Sequence, residues 1–145
     1  ADVRHWIDEA LSAPGELPFA KVETARGRVA GSTRFLNIRP AHRSLEIGWT
    51  WLGQDYQNTA VNTETKLLLM THAFERLACV RVEFKTDARN LRSQRALERI
   101  GATREGVLRN HMIVQGGHRR ESVYFSVIVE EWPEVKQRLQ SLCQR

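Results

Sequence analysis

The stretch Ser44-Leu45-Glu46-Ile47-Gly48-Trp49-Thr50-Trp51-Leu52, followed by the polar run Gly53-Gln54-Asp55-Tyr56-Gln57-Asn58, decides the fold. Leu45, Ile47, Trp49 and Trp51 share one face and Glu46, Gly48 and Thr50 the other, which is the period of a strand. On that alternation both tryptophans belong to the core and Glu46 points away from them. A helical pattern follows from about residue 59 to 78, with Val61, Leu67, Leu68, Met70, Ala73, Phe74 and Leu77 on its apolar face. A strand over 81–86 comes next, then a helix over 91–100 that Asn90 caps and Gly101 stops. Strand, helix and strand in this order predict a parallel crossover at the centre of the chain.

Working outward, residues 5–11 carry apolar side chains at i, i+3 and i+4 spacing and read as a short helix, ended by Pro14-Gly15. Strands over 19–23 and 28–38 flank Ala25-Arg26-Gly27 as a hairpin. Toward the other end, strands over 103–114 and 119–130 meet through Gln115-Gly116-Gly117-His118, and Trp132-Pro133 opens a terminal helix. The fold class is α/β in the α+β sense: a mixed, mostly antiparallel sheet with a central parallel βαβ crossover, in one domain over 1–145.

The length, 145 residues, suits one buried core, and 41% hydrophobic with 27% charged residues excludes a disordered or low-complexity chain. No apolar run approaches the ~20 residues that span a bilayer. The first residues lack the apolar core of a secretory signal, so a cytoplasmic location without membrane contact is expected. Cys79 and Cys143 form no CxxC, and His5, His42, His72, His111 and His118 share no ligand spacing, so no metal is expected. The 22 Lys and Arg exceed the 17 Asp and Glu by five, but Glu98, Glu105 and Glu121 interleave with the basic residues. That mixed surface argues against nucleic acid, while the sign of the charge favours an anionic ligand.

A helix that starts just after a strand presents free N–H groups and a positive dipole end, a natural phosphate seat. Gln57-Asn58-Thr59-Ala60-Val61-Asn62 occupies that place but holds no glycine, so it matches neither the P-loop nor the dinucleotide fingerprint. The residues alone leave two readings open, a capped helix start and an anion site.

Taken together, Leu45 to Leu52, the helix start ending Asn62-Thr63-Glu64, His72-Ala73-Phe74-Glu75 and Asn90-Leu91-Arg92-Ser93 resemble the GNAT N-acetyltransferases. Ile100-Gly101-Ala102, Glu105-Gly106-Val107-Leu108-Arg109 and Glu131-Trp132 extend the likeness, which is to the RimJ/RimL-like ribosomal-protein-alanine acetyltransferase branch and spans roughly residues 18–140.

The resemblance implies a GNAT fold whose sheet splays between the third and fourth predicted strands, with acetyl-CoA as cosubstrate. It implies that Trp49, Thr50, Trp51 and Leu52 pair through their backbone with the pantetheine arm, and that Gln57, Asn58, Thr59, Ala60, Val61 and Asn62 form the pyrophosphate loop. Ala60 and Asn62 there replace small residues, usually glycine. Asn90 matches the asparagine expected on the pantetheine side. Leu97 stands where many members carry the tyrosine that serves the departing thiolate, and Ser93 takes the place of the branch's serine. Glu46 is similar in place to a strand glutamate that accepts a proton through water, and a structural pair with an arginine is its alternative. Glu121, Tyr124 and His111 are candidates for the acceptor side.

The implied activity is acetyl transfer to a primary amine, a protein N-terminal α-amine or a small molecule, by direct attack in a ternary complex. The family's first strand and helix look shortened or missing. The alternatives are a non-catalytic acyl-CoA-binding or regulatory domain and a basic ribosome- or RNA-binding adaptor, and a homodimer stays open.

Overall fold

Two antiparallel hairpins, one from each end of the chain, meet along a single parallel strand pair in the computed structural model, which describes residues 3–144. The elements in order are α1 (Val3–Ser12), β1 (Leu17–Glu23), β2 (Arg28–Arg39), β3 (Ser44–Leu52), α2 (Val61–Thr71), β4 (Arg81–Asp87), α3 (Leu91–Ile100), β5 (Thr103–Ile113), β6 (Arg119–Ile128) and α4 (Trp132–Cys143). The six strands lie in the order β1-β2-β3-β4-β6-β5, and only β3 and β4 run parallel. The predicted architecture is therefore present, with α2 as the crossover.

One sheet face is apolar. Phe35, Leu45, Ile47, Val82, Phe84, Val123, Phe125 and Val127 project from it to meet Met70, Leu97, Val135 and Leu139 of α2, α3 and α4 in one cluster. α4 lies antiparallel along α2, so Trp132 at its start stacks on Phe74 with centroids 5.1 Å apart. The opposite face carries α1, of which only Ala10 is buried. There the strands present polar side chains: Arg34, Glu46, Glu83, Lys85 and Tyr124.

The helix predicted over 59–78 differs at both ends. α2 begins at Val61, because Thr59 closes a turn by donating its hydroxyl to the Tyr56 carbonyl at 2.7 Å. After Thr71 the chain widens into a π-helical turn over His72–Arg76, which ends at Ala78 with φ 52°. The wider turn buries both Ala73 and Phe74 against α4 and the sheet.

The tryptophans of β3 correct the sequence reading. Trp49 is 58% exposed and Trp51 50% exposed, so neither is core. The register between β2 and β3 shifts: Ser32 faces Trp51 but Arg34 faces Gly48, an extra residue on β3 with Trp49 at φ 48°. Such a bulge breaks the period of two, and Trp49 turns over the Arg34 guanidinium at 4.9 Å, on the same face as Glu46. Trp6 of α1 also meets that guanidinium, at 4.6 Å.

Where β2 and β3 cross most closely, Gly31 has no alternative. A Cβ there would lie 2.2 Å from the Trp51 carbonyl oxygen, a backbone atom with nowhere to go. Beneath α2, Lys21 is 5% exposed and among the described residues donates only to Asn62 Oδ1, at 3.3 Å. Burial pushes its ammonium down to about 8, and burial together with repulsion from Lys21 and Arg99 does the same to Lys66.

Two stability outcomes follow from these contacts. Gly31→Ala forces the β2–β3 crossing apart and lowers stability by about 1–3 kcal/mol, read as a lowered midpoint in chemical denaturation. For the lysines, the unfolded chain holds more protons than the native one between about pH 8 and pH 10, so this pair makes stability rise with pH across that window. Lys66→Met therefore has a higher Tm than the parent at pH 7, and the gain shrinks as the pH approaches 10. A constant difference across that range would contradict the assignment.

Candidate active site

The strands part just beyond Glu46. β3 and β4 pair at Ser44–Arg81, Leu45–Val82 and Glu46–Glu83 and no further. Yet β3 continues to Leu52 along β2, and β4 to Asp87 along β6. The edge of β3 from Ile47 onward thus faces a wedge-shaped opening with no strand across it, the predicted splay. The tryptophan side chains are exposed beside it, and the backbone of Trp49 to Leu52 borders it.

At the wide end of the wedge lies the start of α2. The first α-helical bond of α2 runs from Glu64 N–H to the Ala60 carbonyl at 2.8 Å; Gln57 N–H donates to the Gln54 carbonyl at 3.2 Å and Val61 N–H to Thr59 Oγ1 at 3.4 Å, and the other amides of the turn have no helical partner. Gln57, Asn58, Thr59 and Ala60 are exposed, while Val61 and Asn62 are half-buried. Asn58 takes a positive φ of 59°, and its Oδ1 accepts from Arg92 Nη2 at 2.9 Å, so a guanidinium from α3 reaches across to this loop. Asn62 is engaged by Lys21 from below. Backbone donors, a helix dipole and an arginine make a seat for an anion without a glycine. The pyrophosphate of acetyl-CoA fits that donor set, and the open β3 edge fits its amide-bearing arm.

Asn90 and Ser93 begin α3 on the other bank. The Asn90 side chain accepts from Ser93 N–H at 3.0 Å and so caps the helix, which occupies its Oδ1 locally. The Ser93 hydroxyl, half-buried, makes no hydrogen bond among the described residues. Leu97, one turn further, is core.

Glu46 sits at the apex, 1% exposed. Asn37 Nδ2 donates to its Oε2 at 2.7 Å, and Lys85 Nζ stands 3.7 Å from Oε1. The arginine partner considered from sequence is replaced by an amide and a lysine. Around it runs a connected floor: Glu83 accepts from Arg39 at 2.7 Å and from Arg81 at 2.9 Å, Arg81 also donates to Glu105, and Glu105 accepts from the Ser126 hydroxyl. Arg34 Nη1 binds Glu16 at 2.9 Å.

Of the acceptor-side candidates, Tyr124 and His111 lie on this face. Burial, then the Glu46 and Glu83 charges, hold the Tyr124 phenol above its usual range, so it stays protonated at neutral pH. His111 Nδ1 is 2.9 Å from Ser122 Oγ, and its ring meets Tyr124 edge-on at 5.8 Å. Tyr124 and Asn37 line a cleft of about 590 Å³ with Gly15, Glu16, Arg39 and Glu83, which opens beside Glu46. Glu121 is not brought to it. Alternation places Glu121 on the opposite sheet face, exposed in a separate cleft of about 530 Å³ with Val107 to Asn110. Asn37, Lys85 and Glu83 were missed from sequence; a lone asparagine within the alternating run of β2 was the available signal for the first.

No group of three or more metal-ligating side chains is assembled among the described residues, and none of their helices is long and apolar enough to cross a membrane.

Comparison with known proteins agrees with this geometry. The chain is 32% identical over 106 residues to "Putative ribosomal N-acetyltransferase YdaF" of Bacillus subtilis, covering 73% of this chain and 57% of that protein. It superposes on a GCN5-related N-acetyltransferase from Brucella melitensis with a TM-score of 0.90 at 36% identity, covering 95% of this chain and 62% of that one. A structure described as a putative acetyltransferase from T. thermophilus gives a TM-score of 0.88 at 43% identity, over 96% of this chain and 72% of that one. The matches span between about half and three fifths of the length of the curated relatives. The model of the acetyltransferase (GNAT) domain matches residues 1–103, and the chain belongs to that family.

Proposed function

We propose that the chain transfers acetyl from acetyl-CoA to a primary amine by direct attack in a ternary complex. The observation that carries this reading is the parting of β3 and β4 immediately after Glu46, with the α2 N-terminus at its open end. Acetyl-CoA supplies a thioester carbonyl. In this reading the amides of residues 57–62 and Arg92 hold its phosphates, and the open β3 edge from Trp49 to Leu52 holds its arm. The acceptor enters from the polar face through the cleft lined by Asn37, Glu83 and Tyr124.

The chemistry needs a neutral amine, a proton acceptor and a proton for the leaving thiolate. As nitrogen bonds to the carbonyl carbon, its proton passes, directly or through a water, to Glu46. The carbon–sulfur bond then breaks, and the departing thiolate accepts a hydrogen bond from the Ser93 hydroxyl, which makes no other among the described residues, before it takes a proton from solvent. The products are an N-acetyl amine and CoA. YdaF carries "ribosomal" in its name, which favours a protein amine as acceptor over a small one.

A second reading, a domain that binds acyl-CoA without turnover, is favoured by Ala60 and Asn62 in the glycine places and by Leu97 in the tyrosine's place. Calorimetric titration with acetyl-CoA and CoA, followed by thiol-release assays against peptide and small amines, separates the two. Saturable binding with thiol release supports transfer; binding with no release from any amine supports the second reading; no binding sinks both. Ala60→Asp sets a carboxylate against the phosphates and weakens binding at least tenfold. Glu46→Gln and Ser93→Ala leave acetyl-CoA affinity within about twofold, while the first lowers kcat by about 100-fold and the second by about tenfold. An unchanged kcat in either variant removes that residue from the mechanism.

A further inference from the structure

The geometry points to Asn37 as a positioning residue that fixes the Glu46 carboxylate and leaves its Oε1 as the oxygen that receives the acceptor's proton. This rests on the reading of Glu46 as the proton acceptor.

The backbone of β2 is built around this contact. Leu36 faces Glu46 across the ladder, but Arg39 faces Ser44, so three residues on β2 span what two span on β3. The extra residue is Asn37, at φ 47°. Without the bulge, alternation after Phe35 and Leu36 would turn residue 37 toward the helices. With it, the Asn37 amide joins Glu46 on the polar face and Ile38 packs toward the core. Asparagine is among the few residues that enter the left-handed region readily, so a residue that donates a hydrogen bond also satisfies the backbone.

The contact is also selective between the two oxygens. Oε2 receives the amide N–H at 2.7 Å, a charge-assisted bond. Among the described residues Oε1 has only Lys85, at 3.7 Å, too long for a hydrogen bond but close enough to attract. On its remaining flank Oε1 comes within 3.3 Å of where a side chain on Gly48 would begin, so glycine keeps that approach clear. Asn37 itself lines the cleft beside Glu46. The charged and titratable groups that face the carboxylate are Lys85 and Glu83 from β4, Tyr124 from β6, and Arg34 and Arg39 from β2. None of these donates to Oε2. The orientation of the carboxylate therefore hangs on one amide.

Asn37→Gly removes the amide and keeps the positive φ, so the bulge survives. We expect its Tm to fall, because the buried Glu46 carboxylate loses its hydrogen bond, while its acetyl-CoA affinity matches the parent and its kcat falls about tenfold, a kcat loss at unchanged cofactor binding that a general loosening of the fold would not produce. Asn37→Asp, which also tolerates the backbone, sets a second carboxylate against Oε2 and lowers kcat further, again with acetyl-CoA affinity unchanged. Independently of turnover, the Asn37 side-chain amide protons in proton–nitrogen correlation spectra shift in Glu46→Gln without cofactor. If Glu46→Gln lowers kcat as stated but Asn37→Gly leaves kcat unchanged, the positioning role is overturned and the reading of Glu46 stands. If Glu46→Gln retains full activity, the reading of Glu46 falls and this role with it.

Discussion

Among the described residues only three ladder pairs, from Ser44–Arg81 to Glu46–Glu83, join the two halves of the sheet, with the Arg39–Glu83 and Lys85–Glu46 ion pairs crossing the same seam. The apolar packing that keeps β1-β2-β3 aligned with β4-β6-β5 comes from the helices. α2 and α4 lie against each other across that seam, and the Phe74–Trp132 stack with the Glu75 carboxylate, which accepts from the Trp132 indole at 2.9 Å and from Lys136 at 2.6 Å, ties their ends. The π-helical turn at His72–Arg76 makes this possible, since the wider winding presents Phe74 and Glu75 to α4. A short parallel ladder backed by an apolar helix layer can open at one end without coming apart, and the open end holds the wedge.

The same constraint explains the polar face. A residue at the last paired position of a parallel ladder is buried by neighbouring strands yet adjacent to an opening, and Glu46 holds that position. Burial of an ionised carboxylate is tolerated only with hydrogen bonds or countercharge. Asn37 and Lys85 provide both. Two bulges bracket the site along the β2–β3 ladder, one on each strand, and each redirects a side chain that strict alternation would have sent to the other face. Asn37 and Trp49 arrive on Glu46's side by this route.

That geometry marks the limit of what was legible in the sequence. Each element was announced by periodicity and by its turn residues: the hydrophobic rows of β6 and α2, the Asn90 cap, and Gly101 in the left-handed conformation at the end of α3. The parallel crossover followed from the order of the elements, and the place of the splay from the GNAT resemblance. Trp49 and Trp51 were misplaced because a bulge adds a residue without leaving a mark in the hydrophobic pattern, and a β-branched or aromatic residue at positive φ is not anticipated from composition. Asn37 and Lys85 went unnoticed for a related reason. Asn37 reaches Glu46, nine residues away, only through the bulge in β2, and Lys85 comes from a strand beyond the α2 crossover; both contacts are set by register, which short-range periodicity does not encode. Glu121 and Tyr124 stand on opposite faces of β6, a difference that naming residues of one hairpin together does not resolve, because alternation alone does not say which set meets the helices.

The Arg34 guanidinium, met by the indoles of both Trp6 and Trp49, fastens α1 to the bulge of β3. Two of the chain's four tryptophans therefore report on the same charged group, while Trp132 is sealed against Phe74. Indole emission responds to a nearby cation and to water. The protein thus carries a built-in optical gauge at the rim of its polar cleft, one whose colour and quenching follow the separation of α1 from the sheet with no label attached.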